Sequence, residues 1–295
     1  MLPAMTRRLL LPPNLLAAAE RDGRTAWLAT LPTTVARLAR EWTLTVEAPF
    51  QPGGQTAWVA PVHTPTGGSL VLKLAWRHPE ALHEADALRV WAGHGAVRLH
   101  AATEWSDTLA LLLERCRPGT SLAALPEPAQ DLVVAGLLHR LWQAPPAGHR
   151  FRRLQEMCND WADEFDTRRT AQPDLVDPGL ARDGIGLFRA LPATADREVL
   201  LATDLHAGNV LAAEREPWLV VDPKPYVGDP TYDALQHVLN CSERLHADPV
   251  GLAGRMADLL ELDPLRLRRW IFARCVQESP GEPILADVAR RIPID

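Results

Sequence analysis

Lysine is nearly missing from this sequence. Of 31 basic residues only Lys73 and Lys224 are lysines, and the rest are arginine. Abundant Ala, Arg and Pro point to a compositional bias that replaces lysine wherever arginine will do. A lysine that survives in an apolar strand is therefore a candidate functional residue. Cysteine is also scarce: Cys116, Cys158, Cys241 and Cys275 lie far apart and form no CxxC pair or Cys/His cluster. That excludes a disulfide framework and a zinc site, and suggests reduced thiols in a reducing compartment. No long hydrophobic run is present. The stretch LLLPPNLL near the start is short and broken by prolines, so neither a signal peptide nor a membrane span is expected, and the expected setting is the cytoplasm. Basic charge is in deficit, with a net charge of -6, which argues against nucleic acid as partner because phosphate neutralisation needs a basic face. A mild negative balance is compatible with a cationic ligand, although most acids merely keep a protein soluble.

What is present is an ordinary globular composition in 295 residues, enough for one large domain or two lobes. Residues 13–42 read as one or two amphipathic helices with Leu31-Pro32 as a break. Short β-like runs follow, LTVEAPF, TAWVAPVHT and SLVLKLAW, separated by turns at Pro52-Gly53-Gly54 and Thr66-Gly67-Gly68. PEALHEADALRVWAGHG reads as one helix starting near Pro79, and VRLHAATEW and DTLALLLER as two more strands. After CRPGTSL the pattern turns helical, interrupted by one hairpin, NVLAA–EREP–WLVVD. Strands first and helices second predict an α+β protein of two lobes.

The chemistry is concentrated at 201-LATDLHAGNVLAAEREPWLVVDPKP-225. Asp204 and Asn209 bracket a polar loop, and Asp222 ends the second strand of the hairpin. A strand–turn–strand excursion returns the chain to its starting edge, so Asp222 is expected beside Asn209. Few protein oxygens, completed by water and phosphate, suit magnesium. The spacing follows the kinase pattern, in which a catalytic Asp precedes an Asn in one loop and a second Asp follows after a short hairpin. Asp204 would orient and deprotonate an acceptor hydroxyl, while Asn209 and Asp222 would hold the metal on the nucleotide phosphates. Upstream, Lys73 lies mid-strand and Glu84 shares a helix face with Leu88 and Trp91. A buried carboxylate there needs a cation, and Lys73 is available. Gly53 and Gly54 could form a turn whose N–H groups cover phosphates.

On these residues the chain resembles the aminoglycoside phosphotransferases, and within them the streptomycin/hydroxyurea phosphotransferase branch. The segment TDLHAGNVLAAEREPWLVVDPKPYVGDPTYD carries the signature, and the similarity extends from about Phe50 to about Cys241. The resemblance implies a two-lobed protein-kinase-like fold: an antiparallel-sheet N-lobe with added N-terminal helices, and a mainly helical C-lobe. Residues 1–115 would form the nucleotide-binding lobe, with helices in 13–42 and the sheet in 44–115. Residues 116–295 would carry the catalytic loop and acceptor site. It further implies ATP and magnesium as cofactors, and adenine docking against backbone groups from Glu114 to Cys116. Asp229 and Asp233 would brace the catalytic loop. The chain departs from the family in two places: Ala202-Thr203 stands where His-Gly or His-Trp usually precedes the catalytic Asp, and the turn PGGQTAW differs from the usual serine-containing version.

The acceptor expected from the resemblance is a small molecule such as an aminoglycoside or hydroxyurea, with metabolite kinases as an alternative. The carboxylate-rich EMCNDWADEFD, with Asp160 and Glu164, and the later Glu278 are candidate contacts to a cationic acceptor. His206 is expected to pin its loop, and Lys224 to lie on the surface. The expected state is a monomer or weak dimer without membrane or nucleic-acid partners. Two rival readings remain. Asp204-Leu205-His206 is also a D-x-H metal motif, but the GN and GHxH motifs of a metallophosphoesterase do not follow in order. A kinase-like binding module without turnover would be free to lose at least one of Lys73, Glu84, Asp204, Asn209 and Asp222; all are present.

Overall fold

The computed structural model describes residues 9–105 and 107–295. The chain divides into two compact units: one runs to Gly93 and then from Val97 to Arg117, the other comprises His94–Ala96 and Pro118–Asp295. No helix among the described residues is long and apolar enough to cross a membrane.

The first unit begins with helices α1 (Pro13–Arg21) and α2 (Thr25–Glu41). The break expected at Leu31-Pro32 is absent. Helix α2 runs through Pro32, and the chain turns instead around Gly23, whose φ is 68°. Leu28, Leu31, Val35 and Leu38 form one buried face on both sides of the proline. Each such burial contributes roughly 1.5–3 kcal/mol, which together outweighs the ~3 kcal/mol cost of an interior proline.

Five strands follow: β1 (Thr45–Val46), β2 (Ala57–His63), β3 (Ser69–Trp76), β4 (Leu99–Glu104) and β5 (Thr108–Glu114). They form one antiparallel sheet in the order β1-β2-β3-β5-β4. Alternation sorts its two faces. Trp58, Ala60, Val62, Leu72, Leu74, Ala110 and Leu112 join Leu28, Leu31 and Leu38 in a core under the helices. The opposite face carries Val59, Lys73 and Leu111 in register across three strands. The helix expected from Pro79 is split. A tight turn at Pro79–Ala81 and a left-handed His83 (φ 69°) precede α3 (Glu84–Trp91), so Glu84 stands at a helix start.

The second unit contains α4 (Glu127–Leu141), α5 (Leu154–Ala171) and α6 (Pro178–Ala190), followed by four three-residue strands. These are β6 (Val199–Leu201), β7 (Val210–Ala212), β8 (Trp218–Val220) and β9 (Tyr226–Gly228). The expected hairpin is β7–β8. Outside it in sequence lies a second antiparallel pair, β6–β9, which the pattern of residues had not disclosed. Five helices complete the unit: α7 (Leu235–Asn240), α8 (Ser242–Ala247), α9 (Pro249–Leu260), α10 (Pro264–Glu278) and α11 (Ile284–Arg290). Helix α10 is its centre, burying a continuous run from Trp270 to Val276 against α6, α9 and α11.

Candidate active site

In the first unit the Lys73 ammonium lies 2.7 and 2.6 Å from the two oxygens of Glu84. Both residues are buried, Lys73 at 6 % and Glu84 at 4 % exposure. The local cause is sequence alternation, which turns Lys73 away from the leucine core, and a helix start that places an acid beside its first-turn N–H groups. Such a pair is costly to desolvate and costlier to break. The Gly53 turn is tied to the N-terminal segment: Asn14 donates through its backbone N–H to the Pro52 carbonyl and through its side chain to the Gly53 carbonyl. Gly53 has φ 80°, and a Cβ there would lie 2.4 Å from Pro12, so only glycine fits. Gly54 is open on its Cα. At the end of β5 the Glu114 backbone N–H and carboxylate both bond to Arg98, the former to its carbonyl and the latter to its N–H. Cys116 is half-buried.

The second unit holds the other group of residues. Strand β7 pairs with β8, and the Val221 N–H donates to the Asn209 carbonyl at 2.9 Å, so the hairpin sets Asp222 next to Asn209. The Asn209 amide nitrogen donates to the Asp204 carbonyl at 3.0 Å and to its carboxylate at 3.2 Å. Both acceptors lack a proton, so the amide orientation follows from chemistry, and Asn209 Oδ1 is left as a neutral oxygen donor. Two non-glycine residues here have left-handed backbones, Thr203 at φ 47° and Asp222 at φ 53°. Such conformations are held only where surrounding bonds over-determine them, and they concentrate at functional sites.

Those surrounding bonds come from Asp233 and Lys224. The buried Asp233 carboxylate accepts from the backbone N–H of Ala202 (3.0 Å) and of Thr203 (2.6 Å), and from the Trp142 indole (3.0 Å). The Thr203 hydroxyl donates to the Lys224 carbonyl at 2.5 Å, and the Lys224 N–H donates to the Ala202 carbonyl at 2.8 Å. In this way Thr203 ties the Asp204 loop directly to the Asp222 segment. Asp229 accepts from Arg266 and from the Trp270 indole, bracing the same segment against α10.

Lys224 is not the surface lysine its sequence context suggested. Its side chain is only 15 % exposed, and its ammonium lies 2.6 Å from Asp222 Oδ1. A position two residues past a carboxylate gives no sign of this; the left-handed turn at Asp222 is what folds the lysine back. His206 does pin its loop, its Nδ1 accepting from the Gly208 N–H at 3.1 Å. A side chain at Gly208 would meet the imidazole at 2.7 Å.

Charge at this cluster is set by burial. Desolvation pushes the Asp204 carboxyl above its ordinary value, opposed by the positive charge of Lys224. Burial lowers the His206 imidazole, which fits an unprotonated Nδ1 acting as acceptor. The Asp233 carboxyl is pushed up to about 6 by burial, against the three N–H donors that favour its charged form.

The acidic residues proposed for the acceptor separate into two places. Glu164 and Glu278 line one cavity of about 200 Å³ together with Trp161, Phe165, Arg168 and Gln277. Glu164 pairs with Arg168, and Glu278 with Arg274, whose guanidinium sits 4.5 Å from the Trp161 ring centre. Asp160 does not line this cavity; it pairs with Arg152 at 2.7 Å. A further cluster, Asp131, His237 and Cys241, brings three potential ligand atoms within 4.8 Å. Asp131 there is already bound by Arg244 and Arg255, and burial pushes the Cys241 thiol up to about 12. Two guanidiniums and a protonated thiol make it a structural ionic tie rather than a cation site.

A five-stranded sheet with a buried Lys–Glu pair, and a helical unit with an Asp–Asn loop and a hairpin Asp, are the parts of a kinase of the protein-kinase-like fold. Solved structures agree on the fold. Choline kinase from Streptococcus pneumoniae superposes with a TM-score of 0.58 at 10% identity, covering 90% of this chain and 94% of its own. Residues 41–280 match the aminoglycoside/hydroxyurea antibiotic resistance kinases, and the chain belongs to that family. It is similar to streptomycin 6-kinase of Streptomyces glaucescens, 36% identical over 86% of this chain and 83% of the relative. It is also similar to hydroxyurea phosphotransferase of Kitasatospora aureofaciens, 38% identical over 88% of this chain and 75% of the relative.

Proposed function

We propose that this kinase moves the γ-phosphoryl group of magnesium-ATP to a hydroxyl of a small molecule, a streptomycin-like aminoglycoside or hydroxyurea, and so confers resistance to it. The observation that carries the reading is the Asp204–Asn209–Asp222 arrangement, with its two left-handed residues and its buried Asp233 brace. The family and the two relatives supply the acceptor class.

Asp204 is the residue that accepts the acceptor's proton. Its loop is fixed by Asn209 below and Asp233 behind, so the carboxylate presents one geometry to the incoming hydroxyl. Asn209 Oδ1 and the Asp222 carboxylate are hard oxygen donors of the kind magnesium takes, and a positive charge already rests on Asp222. Magnesium, when bound there, neutralises charge on the nucleotide phosphates. Lys73, aligned by Glu84, binds phosphate oxygens of the nucleotide, and backbone groups from Glu114 to Cys116 read the adenine. The Gly53-Gly54 turn covers phosphates in the same reading. Catalysis on this scheme is mainly positioning and electrostatic stabilisation.

The Glu164–Glu278 cavity is the acceptor contact within this reading. At about 200 Å³ it is smaller than the ~300–1,000 Å³ of sites for drug-sized ligands. It therefore takes one substituent rather than a whole antibiotic. Its two carboxylates and its tryptophan face are already engaged by Arg168 and Arg274, so a cationic substituent binds there by displacing those guanidiniums. Asp160, paired with Arg152, lies outside it. An ATP-dependent enzyme of this kind, with no disulfide among the described residues, fits the cytoplasm.

The test is mass spectrometry of streptomycin and of hydroxyurea after incubation with the protein and magnesium-ATP, beside the Asp204→Asn variant. A phosphoryl gain on either compound, lost in the variant, is the expected result. No gain on either would discard the acceptor assignment, and turnover by the variant would discard Asp204 as base.

A further inference from the structure

Lys224 occupies a place that a divalent cation is expected to want. Its ammonium is 2.6 Å from Asp222 Oδ1, and its positive charge acts on Asp204 as well. Its backbone is clamped on both sides, donating to the Ala202 carbonyl and accepting from the Thr203 hydroxyl. The main chain is therefore fixed, and only rotation of the four-carbon stem can carry the ammonium away from Asp222. Without a cation, Asp204 and Asp222 would present two like charges at one half-buried site, a repulsion that low polarity amplifies.

Residue type supports a movable role. The chain uses arginine for nearly all of its 31 basic residues, yet lysine here and at Lys73, both paired with carboxylates. Arginine would grip Asp222 through a planar two-pronged fork, whereas an ammonium is a point charge on a flexible stem that a competitor displaces more readily.

We propose that Lys224 is the displaceable counter-cation of Asp222: it neutralises the Asp204–Asp222 pair in the metal-free kinase and yields Asp222 to the divalent metal. This rests on the reading of Asp222 as a metal ligand. The lysine then sets the affinity of the site for metal, keeping it low until nucleotide arrives with its own cation.

The experiment titrates Mn2+ into the nucleotide-free protein and reads free Mn2+ by electron paramagnetic resonance. Wild type is compared with Lys224→Met, Lys224→Arg and Asp222→Asn, each checked for fold by circular dichroism. Removing the competitor in Lys224→Met is expected to tighten Mn2+ binding about tenfold, the scale of one partly buried ion pair. Lys224→Arg, with its firmer grip, is expected to weaken it. These opposite shifts cannot come from a merely structural lysine, which would change thermal stability alone. Mn2+ affinity that is unchanged or weaker in Lys224→Met overturns the proposal, and Lys224→Arg decides if the methionine variant does not fold. If Asp222→Asn binds Mn2+ as wild type does, the metal assignment fails instead, independently of Lys224.

Discussion

The backbone N–H of Thr203 donates to Asp233 Oδ1 at 2.6 Å across 30 residues of sequence, while the Thr203 hydroxyl donates to the Lys224 carbonyl at 2.5 Å. One threonine thus joins the buried Asp233 brace, the Asp204 loop and the Asp222 segment. Thr203→Val removes the hydroxyl while keeping the shape. We expect it to lower kcat about tenfold, the scale of one lost hydrogen bond to a positioned group, with little change in the KM for ATP. Thr203→Ser is expected to restore most of the rate. Equal rates for all three proteins in steady-state assays would remove the tie from the mechanism.

Activity should fall in acid. Burial pushes the Asp233 carboxyl up to about 6 and raises Asp204 in the same direction. On the proposed mechanism both act charged, Asp233 to accept three N–H donors and Asp204 to take a proton. The expected profile of kcat/KM declines as pH drops through about 6, and a flat profile from pH 8 to 5 would contradict it.

Stability has two opposing acid responses. Carboxyls raised in the fold take up protons that the unfolded chain releases above about 3.8, so Asp233 and Asp204 add stability as pH falls toward that value. Asp131 is the reverse case. Bonds to His237, Arg244 and Arg255 outweigh its burial and hold it far below 3.8, so its stabilisation is present above that pH and disappears as pH falls through and below it. Asp131→Asn should cost about 3–5 kcal/mol at pH 7 and less near pH 3, measured by urea denaturation. A loss independent of pH would mean that packing, not charge, is what Asp131 provides.

The Lys73–Glu84 pair separates stability from catalysis. Lys73→Met or Glu84→Gln alone leaves the partner without its matched charge in a buried setting and is expected to destabilise by about 3–5 kcal/mol. The double variant Lys73→Met/Glu84→Leu should recover most of that loss while remaining inactive. Thermal melts and phosphoryl-transfer assays check both halves; an active double variant would take Lys73 out of the nucleotide site.

For the acceptor, Glu278→Gln and Glu164→Gln should each raise the KM for streptomycin several-fold, about 1 kcal/mol per lost charge contact, with KM for ATP unchanged. The penalty should shrink in high salt. An unchanged KM in both would move the acceptor elsewhere.

Much of the fold was readable because local pattern sufficed. Strands β2 and β3 are short apolar runs bounded by glycine turns, helices α1 and α2 are amphipathic, and the hairpin carries its own turn residues. Other elements escaped for identifiable reasons. Strands β6 and β9 are three residues long and wholly buried, so they show no alternation. Pro32 reads locally as a breaker, and only the shared buried face of α2 overrides it. His83 carries no mark of the left-handed turn that splits the helix before Glu84.

The order and spacing of Lys73, Glu84, Asp204, Asn209 and Asp222 are properties of the sequence, because strand alternation, helix period and hairpin return are local rules. Sequence alone thus determined which residue types arrive at which positions, and with them the kinase class. Tertiary structure decided their partners. That Asp233 braces Thr203, that Lys224 folds back onto Asp222, and that Glu164 meets Glu278 while Asp160 does not, are facts of long-range proximity. Desolvation and hydrogen-bond choice depend on every surrounding element at once, and no short stretch of residues encodes that environment.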